Sequence, residues 1–218
     1  MSWRSRLVLG GAATKLVFAC LVLIWASACD ESPVGPPEAI DELPRALTQA
    51  EQMVLARSNA FGFGLLREVD ARREADKPNT LLSPLSASMA LGMAMEGAEG
   101  ETYTAMRDVL GFQGLAREEV NASYRGLLDI LLELDPAVEL RIANSAWARL
   151  GYPFLDAYFN AITTNFDATV RELDFSLPSA KDTMNDWVSE QTAGHIPTIV
   201  DFIGPLDVLF LINAVYFK

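Results

Sequence analysis

From residue 48 onward, apolar positions recur first at helical spacing and then at strand spacing. Thr48 and Glu51 form a T-x-x-E capping box, and Val54, Phe61, Leu65 and Val69 continue at intervals that place them on one helix face. A charged loop follows over 70–76, with Lys77-Pro78-Asn79 as a turn signal. The short apolar run Thr80-Leu81-Leu82 reads as a buried strand. Ser83 suits an N-cap and Pro84 a first helical turn, with Leu85, Met89, Met93 and Ala94 as the buried face. A glycine-marked break over 96–102 precedes a short helix to Leu110, closed by Gly111. Residues 117–134 repeat the helical pattern through Val120, Tyr124, Leu127, Leu128 and Leu131.

The period then changes. Residues 138–150 alternate and are rich in β-formers, among them Leu140, Ile142, Asn144, Ala146 and Trp147, so a strand is expected. Residues 154–166 return to helical spacing, and 168–175 read as another strand. Ser179 is placed to cap a helix running to Thr192, with Met184, Trp187, Val188 and Gln191 on one face and Gly194 as its left-handed stop. Leu206 to Phe217 is apolar except for Asp207 and Asn213, the signature of a central strand covered on both faces. Helices followed by mixed strands and helices define an α+β class rather than regular βαβ units.

The first 46 residues have a different character. Residues 1–28 carry Arg4, Arg6 and Lys15, no acid, and an apolar stretch from Leu16 to Trp25. That stretch is half the ~20 residues a membrane-spanning helix needs, so an export signal is the better reading. Ala26-Ser27-Ala28-Cys29 is similar to a bacterial lipobox, which implies a lipid on Cys29; Ala26 departs from the usual leucine. Ordinary cleavage after Ala28, leaving Cys29 a free thiol, is the alternative. Pro33, Pro36, Pro37 and Pro44 make 29–46 an extended, acidic tether.

Charge narrows the partners. The chain of 218 residues has 17 Lys plus Arg against 29 Asp plus Glu, a net −12. Removal of residues 1–28 leaves 14 cations and a charge of −15. Such a balance disfavours nucleic acid and anionic lipid headgroups, both of which need clustered cations. Two cysteines and one histidine are too few for a structural zinc site or a disulfide scaffold.

Catalytic chemistry finds no foothold. His195, the single histidine, follows the helix stop at Gly194, where an imidazole serves the last carbonyls. Gly62-Phe63-Gly64 lies inside a helical pattern, and Gly97 to Gly100 has no Lys-Ser/Thr behind it, so neither is a phosphate loop. Glu118-Glu119 matches a helix start favoured by the macrodipole. Asn121-Ala122-Ser123 matches a glycosylation sequon by pattern alone. Trp147 and Trp187 read as packing residues. No enzyme, cofactor or metal is expected.

Four blocks in order carry a family resemblance. They are residues 79–91 with 97–102 behind them, 140–147, 173–175 with 184–196, and 211–218. Ser83-Pro84, Ser86, Asn144, Trp147, Asn185, Trp187 and Asn213 lie within them. Across 48–218 the chain resembles the serpins, whose large central sheet, sheet A, is surrounded by helices and two further sheets. The resemblance implies that 138–150 is strand 2 and the run from Leu206 is strand 3 of sheet A. It makes the helix from Ser179 the one crossing the front of that sheet, with Asn185 and Trp187 as its markers. Ser83, Ser86 and Asn213 match the polar cluster called the shutter, where sheet A opens.

The function implied by the resemblance is inhibition of a protease by a suicide-substrate route, in which a cleaved reactive loop inserts into sheet A beside strand 3. Family members are about twice as long as this folded part, so residues 47–218 are expected to be the N-terminal part of a serpin domain, with the reactive loop outside it. The implied partner is a serine or cysteine protease, with a monomeric inhibitor on a lipid-anchored, exported chain. A non-inhibitory envelope lipoprotein of the same fold, or a fragment without function, are the alternatives.

Overall fold

The computed structural model describes residues 42–73, 79–135 and 137–218, all within one compact unit, Ile40–Lys218. The signal, Cys29, most of the tether and the Lys77-Pro78 turn lie outside the described residues. Helix α1 spans Gln49–Ala71, α2 Pro84–Glu96, α3 Gly100–Leu110 and α4 Arg117–Glu133. Strand β1 (Leu140–Arg149), helix α5 (Asp156–Phe166), strand β2 (Thr169–Leu173), helix α6 (Pro178–Gln191) and strand β3 (Leu209–Phe217) complete the order. Among the described residues no helix is long and apolar enough to cross a membrane.

Local chemistry sets the helix ends. The Thr48 hydroxyl accepts from Glu51 N at 3.2 Å, and Glu51 Oε2 accepts from Thr48 N at 2.7 Å, a complete capping box. At α2, Ser83 Oγ accepts from Ser86 N and Pro84 occupies the first turn, where its missing N–H costs nothing. Glu119 reaches back to accept Ala116 N–H at 2.8 Å, but alanine has no oxygen to complete the reciprocal bond. Gly111 closes α3 at φ 81°, a left-handed conformation with little penalty only for glycine.

The sheet runs β2-β1-β3, with β1 parallel to β2 and antiparallel to β3. Strand alternation sorts two cores. One face of the sheet brings Ala146, Ile142, Val170 and Leu211 against Met89, Met93, Tyr124, Ile162 and Phe166 of the helices. The opposite face brings Trp147, Ile212, Ala214 and Leu173 against Met184, Trp187 and Val188 of α6.

Three expectations are corrected. Thr80-Leu81-Leu82 is not a strand, and Leu81 is 97% exposed; two leucines in a row do not by themselves identify burial. Ser179 does not cap α6: Pro178 takes the first helical position, leaving Leu177 as the N-cap without a side-chain bond. The last strand begins at Leu209 rather than Leu206, which is 90% exposed. Among the described residues β1 holds the middle of the sheet, with Asn144 to Ala148 all buried, and β3 beside it is covered on both faces as expected, Leu209 and Leu211 packing into one core and Phe210, Ile212 and Ala214 into the other.

Candidate conformational site at the sheet edge

Asn213 lies in the middle of β3, directly opposite Asn144 of β1 in the antiparallel register. Asn213 Nδ2 donates to Asn144 Oδ1 at 2.8 Å, and Asn144 Nδ2 donates to the Phe166 carbonyl at 2.7 Å. Met89 of α2 brings its sulfur 3.5 Å from Asn213 Nδ2. A polar chain therefore runs from the end of α5 through β1 to β3, inside an otherwise apolar layer. Asn213 Oδ1 is buried and has no hydrogen-bond partner, a costly state for an amide oxygen.

Beside it, Ser83 and Ser86 hold α2's start. Their hydroxyls lie 2.8 Å apart, and neither reaches Asn213. Ser86 and Asn213 nonetheless line one cleft, together with Ala90, Val200 and Phe210. The structure thus places the three expected shutter residues as a pair and a neighbour rather than as one bonded network. Asn144 and Met89 complete the cluster. The available signal for Asn144 was a buried-type strand interrupted by an amide; Met89 carried none, since it reads as an ordinary core residue.

On the other face α6 is fastened by its own polar side chain. Asn185 Oδ1 accepts from Ile199 N and Val200 N, each at 2.9 Å, and its Nδ2 donates to Val200 O at 2.9 Å. One buried amide thereby satisfies three backbone groups of the loop leading to β3. Trp187 meets Trp147 edge-on at 5.9 Å, and the Trp147 indole N–H donates to Ser145 Oγ at 2.8 Å. Both markers of the crossing helix are seated on β1 and on the segment entering β3.

The remaining sequence candidates fall elsewhere. The His195 imidazole does not serve the α6 carbonyls; its ring stacks on Tyr216 at 5.5 Å, and backbone N–H groups of Thr192, Ala193 and Gly194 close that end. Asn121 is 7% exposed within α4, so its side chain is closed to glycan transfer. Among the described residues no group of three or more His, Cys, Asp or Glu is placed to hold a metal ion.

Comparison with known proteins gives this arrangement a family. The sequence profile of the serpins, described as serine protease inhibitors, matches residues 56–218. An uncharacterised serpin-like protein of Thermococcus kodakarensis is 34% identical over 175 residues, covering 77% of this chain and 39% of that protein. Intracellular coagulation inhibitor 2 of Tachypleus tridentatus is 36% identical over 165 residues, covering 73% and 40%. The thermophilic serpin tengpin, solved in its latent state, superposes with a TM-score of 0.67 at 28% identity, over 80% of this chain and 45% of tengpin. The chain belongs to the serpin family and has its α+β fold. It spans about two fifths of the length of these curated relatives.

Proposed function

We propose that this chain is the N-terminal part of a serpin-type protease inhibitor that acts by accepting its own cleaved reactive loop as a new strand. The observation that carries the reading is the polar cluster at the middle of β3, in a chain whose residues 56–218 match the serpins. Asn213 Oδ1 is buried there without a partner, beside the amide bond that joins β3 to β1. In the proposed route the cleaved loop adds to the sheet as a strand next to β3. Ser86 and Asn213 share the adjacent cleft, where α2 must yield for the sheet to widen.

In this reading no residue of the chain breaks a bond. The target protease, of serine or cysteine class, supplies the nucleophile and becomes trapped as its acyl-enzyme. Asn185 and Trp187 keep α6 docked across the sheet and set how easily β3 separates from what lies beyond it. The decisive experiment mixes the full-length protein with a panel of serine and cysteine proteases. An SDS-stable complex is expected with at least one; turnover without any such complex overturns inhibition in favour of the non-inhibitory envelope protein.

The export reading is proposed alongside. Cys29 would carry the lipid and residues 29–46 would hold a monomeric inhibitor off the bacterial membrane. Labelled palmitate is expected to enter the wild type and not Cys29→Ala. Equal labelling of both would overturn the anchor.

A further inference from the structure

A second feature lies on the helical side, away from the free edge of β3. Helices α1, α2 and α4 enclose a cavity of about 160 Å³ walled by Val54, Leu85, Met89, Leu127, Ile130 and Leu131. Leu43 and Leu47, in the segment before α1, and Leu55 of α1 also line it, and Leu43 and Leu55 are 47% and 43% exposed.

The wall offers water little. The Tyr124 hydroxyl donates to Ser88 O at 3.2 Å, and the Ser88 hydroxyl donates to Leu85 O at 3.0 Å. Among the described residues, the buried side-chain atoms without a partner all belong to residues outside this wall. Cavities of about 150 Å³ lined by aliphatic and aromatic side chains stay dry and take up benzene-sized guests. The nearby charges are already matched: Arg45 forms a two-pronged ion pair with Glu51 at 2.6 and 2.8 Å. Arg45 also donates to Gly126 O at 3.2 Å, which fastens the segment before α1 to α4.

We propose that this cavity is a binding site for a small neutral hydrocarbon, a single aromatic ring or a short alkyl chain, and that Met89 reports its occupancy to Asn213. Met89 lines the cavity, and its sulfur also lies 3.5 Å from Asn213 Nδ2. A guest that shifts Met89 therefore acts on the amide pair joining β1 to β3. The binding site stands on its geometry alone. Only its effect on the sheet rests on the inhibitory reading.

Toluene is the probe, added to the full-length protein carrying ¹³C-methyl methionine, with Met89→Leu to assign the signal. Saturable movement of the Met89 methyl resonance is expected, with a Tm rise of about 2–4 °C at tenfold excess over Kd. Leu127→Trp and Leu85→Phe fill the cavity by different routes, and each is expected to abolish both responses while folding cooperatively. No saturable response in the wild type, or undiminished binding in a folded filler, overturns the site. In the inhibition assay, saturating toluene is expected to change the ratio of trapped complex to cleaved inhibitor. An unchanged ratio with proven binding overturns the link through Met89. Failure to form any protease complex overturns the inhibitory reading and leaves the binding result standing.

Discussion

Asn185 is the residue on which α6 and the entry to β3 depend most directly. Its carboxamide makes three hydrogen bonds to the backbone of Ile199 and Val200. Replacing it with Leu keeps the volume but orphans two N–H groups and one carbonyl. Asn185→Leu is expected to lower stability by about 2–4 kcal/mol in urea titration. A loss below about 0.5 kcal/mol would mean the loop is held by other contacts. Glu51 has a comparable role on the helical side. The Arg45 guanidinium, aided by the Thr48 amide and hydroxyl, holds its carboxyl down at about 2, against the opposing effect of burial. A depressed carboxylate stabilises the fold above its unfolded value and loses that effect as pH falls from about 4.5 toward 2. Glu51→Gln is therefore expected to flatten the acid limb of the stability curve. The loss at pH 7 should be on the order of 1–3 kcal/mol, moderated because Arg45 is 43% exposed. An unaltered acid limb would count against the clasp. The capping box was legible from Thr48 and Glu51 alone. Its ion pair was not, because the path of the segment before α1 sets it, and Arg45 holds that segment to the Gly126 carbonyl of α4. A Cβ at Gly126 would collide with the Glu51 carboxylate, a constraint that no helical pattern announces.

Among the elements, β3 decides the behaviour of the whole sheet. Helix positions followed from periodicity within a residue or two, because a face of Val120, Tyr124 and Leu128 can be buried in only one way. Strand order did not follow, because apolar runs record burial without naming neighbours. Residues 138–150 read as an alternating strand and the run from Leu206 as one covered on both faces; the family resemblance made them strands 2 and 3 of one sheet, and the structure pairs them antiparallel. A fragment limited to residues 42–218 leaves the outer edge of β3 accessible, with Phe217 72% exposed at its end. Such an edge recruits other chains. This fragment is expected to sediment as oligomers or to melt without a cooperative transition. A soluble monomer with a sharp melt would contradict that.

At the scale of the molecule, the two cores on opposite faces of one sheet have different freedoms. The helical side is built from large interlocked side chains such as Phe112, Tyr124 and Phe166, which meet edge-on or tilted at 5.8 and 5.1 Å. On the α6 side, a single helix and one amide-pinned loop cover β1 and β3. Under the proposed function, widening the sheet asks α2 to yield on the helical side and this single helix, α6, to shift on the other. Under the proposed inhibitory function, cleavage of a reactive loop in the full-length protein is expected to raise Tm, since the inserted strand would pair beside β3. Nicking that lowers Tm, measured by calorimetry, would be incompatible with insertion.

The order of residues alone determined most helices, the α+β class, the acidic balance and the family, because these depend on local spacing and on motifs read in sequence. It also marked Asn213 as an amide within an apolar run, and the family resemblance singled out Asn185. Only the tertiary structure decided that Asn213 bonds Asn144, that Ser83 and Ser86 pair with each other instead, and that Met89 stands between an apolar cavity and the sheet. The contacts of Met89 with Asn144 and Asn213 join positions 55 and 124 residues apart in the chain. Spacing along the sequence carries no record of such distances; close packing of the side chains sets them.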